Sequence, residues 1–167
     1  MLTAEKVIAL LDLVPHPEEG GFFRETWRAG EGIEPSALPG RYTGRRSFGT
    51  AIYYLLTPGT FSHLHRLKSD EVFHFYLGDP VEQLHLNPDG TSRRVVLGTD
   101  LEAGQSPQVV VPAGVWQGAR LVDGGRLALL GCTVAPGFEF ADYDHGKAED
   151  MLAGWPDQAE LIGKLTA

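Results

Sequence analysis

The sequence predicts an all-β domain, a sandwich or barrel of many short strands, with one short helix at each end of the chain. Three observations lead there. Short runs rich in β-branched and aromatic residues recur from residue 22 to residue 134. Turn-forming residues punctuate them at close spacing: Pro58-Gly59, Gly78-Asp79-Pro80, Pro88-Asp89-Gly90, Gly104, Pro112-Ala113-Gly114 and Asp123-Gly124-Gly125. Helix signals are confined to the two ends.

Residues 3–13 read as the first helix. Thr3 suits the N-cap, Glu5 lies in the first turn, Val7, Ile8, Leu10 and Leu11 form an apolar stripe, and Pro15 stops it. Gly20-Gly21 turns the chain into a strand over Phe22–Arg28. Residues 29–47, with four Gly, two Pro and Arg41, Arg45 and Arg46, read as a long loop of the kind that is often functional. Thr50–Leu56 is a strand, apolar on both faces. Further strands follow around His63 and at Glu71–Tyr76, Val81–Asn87, Arg93–Gly98, Gln108–Val111, Trp116–Val122 and Arg126–Val134. Pro156 opens a short C-terminal helix that runs to about Leu165.

A chain of 167 residues reads as a single domain spanning 1–167, large enough to bury a core without staples. Its one cysteine, Cys132, lies in an apolar run and reads as a small buried hydrophobe. The formal net charge of −8 argues against nucleic acid as a partner, while a local arginine cluster can still hold an anionic small ligand. No apolar stretch is long enough to span a membrane, and the first residues lack the pattern of a signal peptide. No membrane partner and a cytoplasmic location are therefore expected.

Residues 63–78 carry the chemistry. His63, His65 and His74 with Asp70 and Glu71 place three histidines and two acids within 12 residues. On a regular strand His63 and His65 leave the same face, and Phe61 with them. On the next, Glu71, Phe73 and Phe75 share a face, with His74 and Tyr76 on the other. Two imidazoles and a carboxylate on one interior suit a metal site, or an acid–base site without metal. Arg66 faces away from the pair, and Ser69-Asp70 makes the turn before Glu71. One of the consecutive Tyr53 and Tyr54 must point inward. His16, His85 and His145 have no partners nearby in sequence and read as structural or solvated.

These residues resemble the paired motifs of the cupin superfamily. Gly59, His63, His65, Glu71 and Gly78 match the first motif, and Gly104, Pro112 and Gly114 the second, with Gln117 where the last His is expected. The Glu-to-Gly and Pro-x-Gly spacings fit. The Gly59–His63 gap is short, and the His65–Glu71 and Gly104–Pro112 gaps are long. Further segments are similar to the DUF985 cupin subfamily: the Pro-His-Pro-Glu-Glu-Gly-Gly-Phe-Phe-Arg-Glu-Thr run at 15–26, Ser-His-Leu-His-Arg, Val-Pro-Ala-Gly-Val-Trp-Gln and Gly-Cys-Thr-Val-Ala-Pro-Gly-Phe-Glu-Phe. The resemblance covers about residue 5 to residue 144 and implies a double-stranded β-helix, or jelly roll.

It also implies a small-molecule enzyme, with a sugar or nucleotide-sugar epimerase or isomerase as the first expectation. His63, His65 and Glu71 are the catalytic candidates. One histidine takes a proton next to a carbonyl and an inward Tyr returns it. Arg24, Tyr53, Tyr54, Phe73, Phe75, Trp116 and Gln117 are the candidates for substrate binding, the aromatics suiting a carbohydrate or nucleotide-sugar-like ligand and Arg24 an anionic group. A metal-dependent cupin oxygenase, with a divalent transition metal on His63, His65, Glu71 and Gln117, is the alternative, and a non-catalytic binding protein is the third. Exposed sheet edges favour a homodimer, with Phe22–Arg28 as the pairing strand.

Overall fold

The strands marked out by the turn pattern form, and they stack as two antiparallel sheets around one interior. The computed structural model describes residues 1–167. The strands are β1 Val14–Pro15, β2 Phe22–Arg28, β3 Gly32–Ile33, β4 Arg46–Ser47, β5 Thr50–Leu56, β6 Phe61–Arg66, β7 Asp70–Gly78, β8 Val81–Leu86, β9 Ser92–Leu97, β10 Gln108–Val111, β11 Trp116–Leu121, β12 Ala128–Ala135 and β13 Asp144–His145. The first sheet runs β1-β2-β5-β12-β7-β10 and the second β13-β6-β11-β8-β9, with β3 and β4 as a separate ribbon. Most neighbouring strands in the two sheets, such as β2 and β5 or β12 and β7, are not consecutive in sequence, as in a jelly roll.

Alternation along each strand sorts its side chains. Tyr54, Leu56, Phe73, Leu130 and Cys132 of the first sheet meet Val81, Leu97, Ala119 and Leu121 of the second in the main core. The first helix, α1 (Ala4–Leu11), is capped by the Thr3 hydroxyl and lays Val7 over the outer face of the first sheet, against Leu55, Leu127 and Leu129. That cover explains why Thr50–Leu56 is apolar on both faces. Two C-terminal helices, α2 (Ala148–Gly154) and α3 (Ala159–Leu165), stand where the sequence predicts one. They cover the outer face of the second sheet through Met151, Leu161, Ile162 and Leu165, packed on Leu64, Leu84 and Leu86.

The long loop is more ordered than its Gly and Pro content predicts. It holds the β3–β4 ribbon, and Arg46 makes a two-point ion pair with Asp142 at 2.6 and 2.7 Å. This pair fastens the loop to the segment after β12, which crosses one end of the interior.

One irregularity matters for function. On β6, His65 pairs with Gln117, but Ser62 rather than His63 pairs with Ala119. The bulge sets two residues, His63 and Leu64, against Gly118 alone. Ser62 and His65 therefore point inward while His63 and Leu64 do not.

Candidate active site

The site lies at the end of the interior beneath residues 138–140. A cavity of about 90 Å³ opens there, lined by His16, Glu19, Phe23, Glu25, Arg28, Thr50, Ile52, Leu67, Glu71, Cys132, Val134, Phe138, Glu139 and Phe140.

Glu71 enters it from β7 and is 6% exposed. Its Oε2 accepts a hydrogen bond from Gln117 Nε2 at 2.7 Å, and Gln117 Oε1 in turn accepts from Gln83 Nε2 at 3.4 Å. His85 Nε2 lies 3.0 Å from Gln83 Oε1 and closes the chain. The Glu71 carboxyl is pushed up to about 8. Burial is the main cause and the charge of Glu19 adds to it, while the Gln117 hydrogen bond and the neighbouring Cys132 thiol pull the other way. At neutral pH Glu71 holds its proton.

Glu19 comes from the turn before β2. Its Oε1 accepts from Ser62 Oγ at 2.6 Å, and its Oε2 lies 3.8 Å from both His16 Nε2 and His65 Nε2. The hydrogen bonds assign the two rings opposite tautomers. His16 Nδ1 accepts from the backbone N–H groups of Glu18 and Glu19, at 3.3 and 2.9 Å, so a neutral His16 carries its proton on Nε2. His65 Nδ1 donates to the His63 carbonyl at 2.7 Å, so in the neutral ring Nε2 is the nitrogen without a proton. Burial, partly offset by Glu19, lowers the His16 pKa and keeps that ring neutral. Tyr143 stacks on His65 with centroids 5.0 Å apart.

Of the residues picked from sequence, the structure brings together His65, Glu71 and Gln117. His63 is displaced by the bulge: it stacks on His145 at 3.7 Å and its Nε2 bonds to the Gly146 carbonyl. The expectation that both imidazoles share the pocket is thus corrected. Phe61 goes with it to the outer cluster. Tyr54 is the inward tyrosine, but its hydroxyl donates to the Gly20 carbonyl at 2.8 Å. Tyr53 sits on the outer face beneath α1 and beside Tyr76. Phe73 and Phe75 belong to the main core and do not line the cavity. Trp116 must face away because Gln117 faces in, and it carries the Arg66 guanidinium 4.6 Å above its ring. Arg24 is also on the outside, 3.5 Å from Asp12 and over Tyr53.

Glu19, His16, Arg28 and Phe138–Phe140 line the cavity and were not singled out from sequence. His16, expected to be structural or solvated, is buried at the cavity wall. The available signal was the Pro-His-Pro-Glu-Glu-Gly-Gly run, where Gly20 and Gly21 both have positive φ and turn the preceding residues back toward β6. As a metal site the expected set does not fit: no three His, Cys, Asp or Glu side chains converge on one point, and His63 lies outside the interior.

Jelly-roll topology and polar groups gathered at one end of the interior define a cupin. More narrowly, the chain belongs to the cupin superfamily family DUF985, which it matches over residues 5–146. It is similar to the uncharacterized protein YML079W of Saccharomyces cerevisiae, at 30% identity over 148 residues, 84% of this chain and 73% of the yeast protein. Protein SO0799 from Shewanella oneidensis superposes with a TM-score of 0.88 and 35% identity, covering 100% of this chain and 99% of that one. A hypothetical protein from Leishmania major gives 0.86 and 31%, with 99% of each chain covered. An oxalate decarboxylase of Bacillus subtilis shares the fold at a TM-score of 0.54 and 18% identity, over 93% of this chain and 38% of that one. No helix is long and apolar enough to cross a membrane.

Proposed function

We propose that this protein is an acid–base enzyme acting on a small carbonyl compound, a sugar epimerase or isomerase that uses Glu71 as acid and Glu19 as base. One observation carries the proposal. Two carboxyl groups, Glu71 from β7 and Glu19 from the turn before β2, face a common cavity, and the environment holds one of them, Glu71, in its protonated form up to about pH 8.

The chemistry follows from their positions. Glu19 takes the proton from the carbon beside the carbonyl, while the Glu71 O–H protonates the carbonyl oxygen, giving an enediol. In reversal Glu71 takes back a proton from an enediol hydroxyl and Glu19 returns the proton it holds to the neighbouring carbon, which completes an isomerisation. His65 is a positioning residue whose free Nε2 faces Glu19 and can share the proton it takes. His16 Nε2–H and the Ser62 hydroxyl orient the same carboxylate. Tyr54 has no part in this scheme, and no step passes through a metal.

The cavity limits the substrate. At about 90 Å³ it is well below the roughly 300–1,000 Å³ of pockets that enclose drug-sized ligands, so only the reacting part of a sugar enters it. The test is exchange in heavy water: candidate aldoses and ketoses should gain deuterium beside the carbonyl. Exchange should disappear in Glu71→Gln and Glu19→Gln with folding preserved. Tight binding without exchange in the unmodified protein would instead make it a non-catalytic binding cupin.

A further inference from the structure

We propose that His85 is a positioning residue for the acid step: through Gln83 and Gln117 it fixes the Glu71 proton on Oε1, the oxygen left for the substrate, although the His85 ring is no part of the cavity wall. This rests on the acid–base reading above and adds to it the group that aims the acid.

The link runs along one inward face. Gln83 and His85 are two residues apart on β8 and so point the same way, and Gln117 lies opposite His85 on β11. All three are buried, so each amide end needs a partner. An amide has an acceptor at one end and donors at the other. In a chain of two amides, turning one alone would set two acceptors or two donors face to face. The chain therefore has only two sound directions, and the group at its head chooses between them.

The observed direction starts at His85. Gln83 Oε1 can only accept, so the ring nitrogen 3.0 Å away, Nε2, must donate. Burial lowers the His85 pKa to about 4 and Arg93 adds to the effect, so at neutral pH the ring has a single N–H. Gln83 Nε2 then donates to Gln117 Oε1, and Gln117 Nε2 donates to Glu71 Oε2. A carbonyl oxygen accepts an N–H better than a hydroxyl does, so Oε2 is the carbonyl oxygen of the protonated acid and Oε1 bears the proton. Oε1 bonds to no nitrogen or oxygen of the protein, and no fully buried side-chain oxygen lacks a partner, so Oε1 opens onto the cavity that Glu71 lines. With the His85 proton on Nδ1 the chain would run the other way. Gln117 Oε1 would then hold the Glu71 proton and turn it from the substrate.

The experiment begins with the unmodified full chain. Nitrogen-15 NMR of the imidazoles at neutral pH, with His85→Gln to assign the signal, should show His85 protonated on Nε2 and bare on Nδ1. A proton on Nδ1 would overturn the proposal. Two variants carry the test to Glu71, whose titration is followed by carbon-13 NMR. His85→Met offers a thioether, which only accepts, so the chain should reverse. The Glu71 midpoint should then rise by about one pH unit above the parent, because its proton is now bonded and its carboxylate has lost the Gln117 N–H. Deuterium exchange should fall at least about tenfold with it. His85→Gln keeps an N–H for Gln83 and should match the parent in both. A merely structural His85 gives the opposite sign, since loosened packing admits water and lowers the midpoint toward about 4.3. An unchanged or lowered midpoint in His85→Met would therefore overturn the proposal. Should His85→Met not fold, the tautomer in the unmodified protein decides alone. The acid–base reading fails separately, through an unmodified Glu71 that titrates in the ordinary carboxylate range. A parent midpoint near 8 with the Nδ1 tautomer, or with an indifferent His85→Met, removes only the role of His85.

Discussion

The two ends of the interior are built from the same strands and differ in almost everything else. At one end Leu56, Val81, Leu97, Leu121 and Ala128 are buried together with no polar side chain among them. Toward the other, β8 and β11 continue inward with Gln83, His85 and Gln117, and β7 brings Glu71. Burial is equally complete at both ends. The difference lies in what burial does to each side chain. Apolar groups gain from it, whereas the polar groups must be paired, and every fully buried side-chain nitrogen and oxygen has a partner. The apolar end therefore holds the fold together, and the polar end holds a carboxyl group in a state it would not keep in water.

The largest expected effect is at the apolar end. Leu56→Ala should lower stability by about 2–5 kcal/mol through the lost transfer energy and the cavity left behind. Glu71→Gln, at the polar end, should melt at or above the parent temperature, because an amide of the same shape is cheaper to bury than a carboxyl. Paired thermal melts check both, and a large destabilisation by Glu71→Gln would break the contrast.

Arg46→Ala should rank next. The Arg46 and Asp142 side chains are 4% and 3% exposed, yet Arg46 lies under a thin cover near the surface. Removing the guanidinium should cost about 2–3 kcal/mol, less than the 3–5 of a deeply buried pair. It should also free the segment over the cavity, raising hydrogen exchange at residues 138–143.

A third prediction uses pH. The Glu71 carboxyl is raised in the folded chain, so between about 4.5 and about 8 the folded state binds the proton that the unfolded state has lost. Its contribution then falls as pH rises, by at most about 1.4 kcal/mol per pH unit, and levels off above pH 8. His85 acts in the opposite direction: burial lowers it to about 4, so its cost appears as pH falls from 6.5 toward 4. The stability advantage of Glu71→Gln over the parent should widen from pH 5 to pH 8 in denaturant melts, and turnover should fail as pH rises through about 8. A constant difference would contradict the raised carboxyl.

Smaller effects sharpen the comparison. His63→Ala should change stability by under about 1 kcal/mol and leave deuterium exchange intact, whereas His65→Ala should abolish exchange. We also propose a homodimer formed along β2. Only Phe22 and Phe23 pair with β1, so Arg24–Arg28 keeps one free edge beside the exposed Trp27. Light scattering should give twice the chain mass, and a monomer at micromolar concentration would rule this out.

Much of the architecture is written in local signals. Turn residues and β-branched runs mark β2 and β5 to β12, and Thr3 and Pro15 bracket α1. Glu71 and Gln117 follow from alternation once their strands are placed. His63 does not, because a bulge shifts the alternation by one residue and nothing in Ser-His-Leu-His-Arg announces it. The same two-residue period could not separate Tyr53 from Tyr54, since α1 makes the outer face of β5 as apolar as the inner one. Glu19 and His16 were hidden for another reason. They sit in a turn and reach the site through contacts distant in sequence, such as the Glu19–Ser62 hydrogen bond across 43 residues.

The central claim is that Glu71 keeps its proton at neutral pH while facing Glu19 across the cavity. Carbon-13 NMR of the glutamate carboxyl groups, with Glu71→Gln to assign the signal, measures this directly. The account predicts a Glu71 resonance that stays in the protonated position through pH 7 and titrates near 8. A Glu71 carboxyl that titrates in the ordinary range, near 4.3, would contradict it.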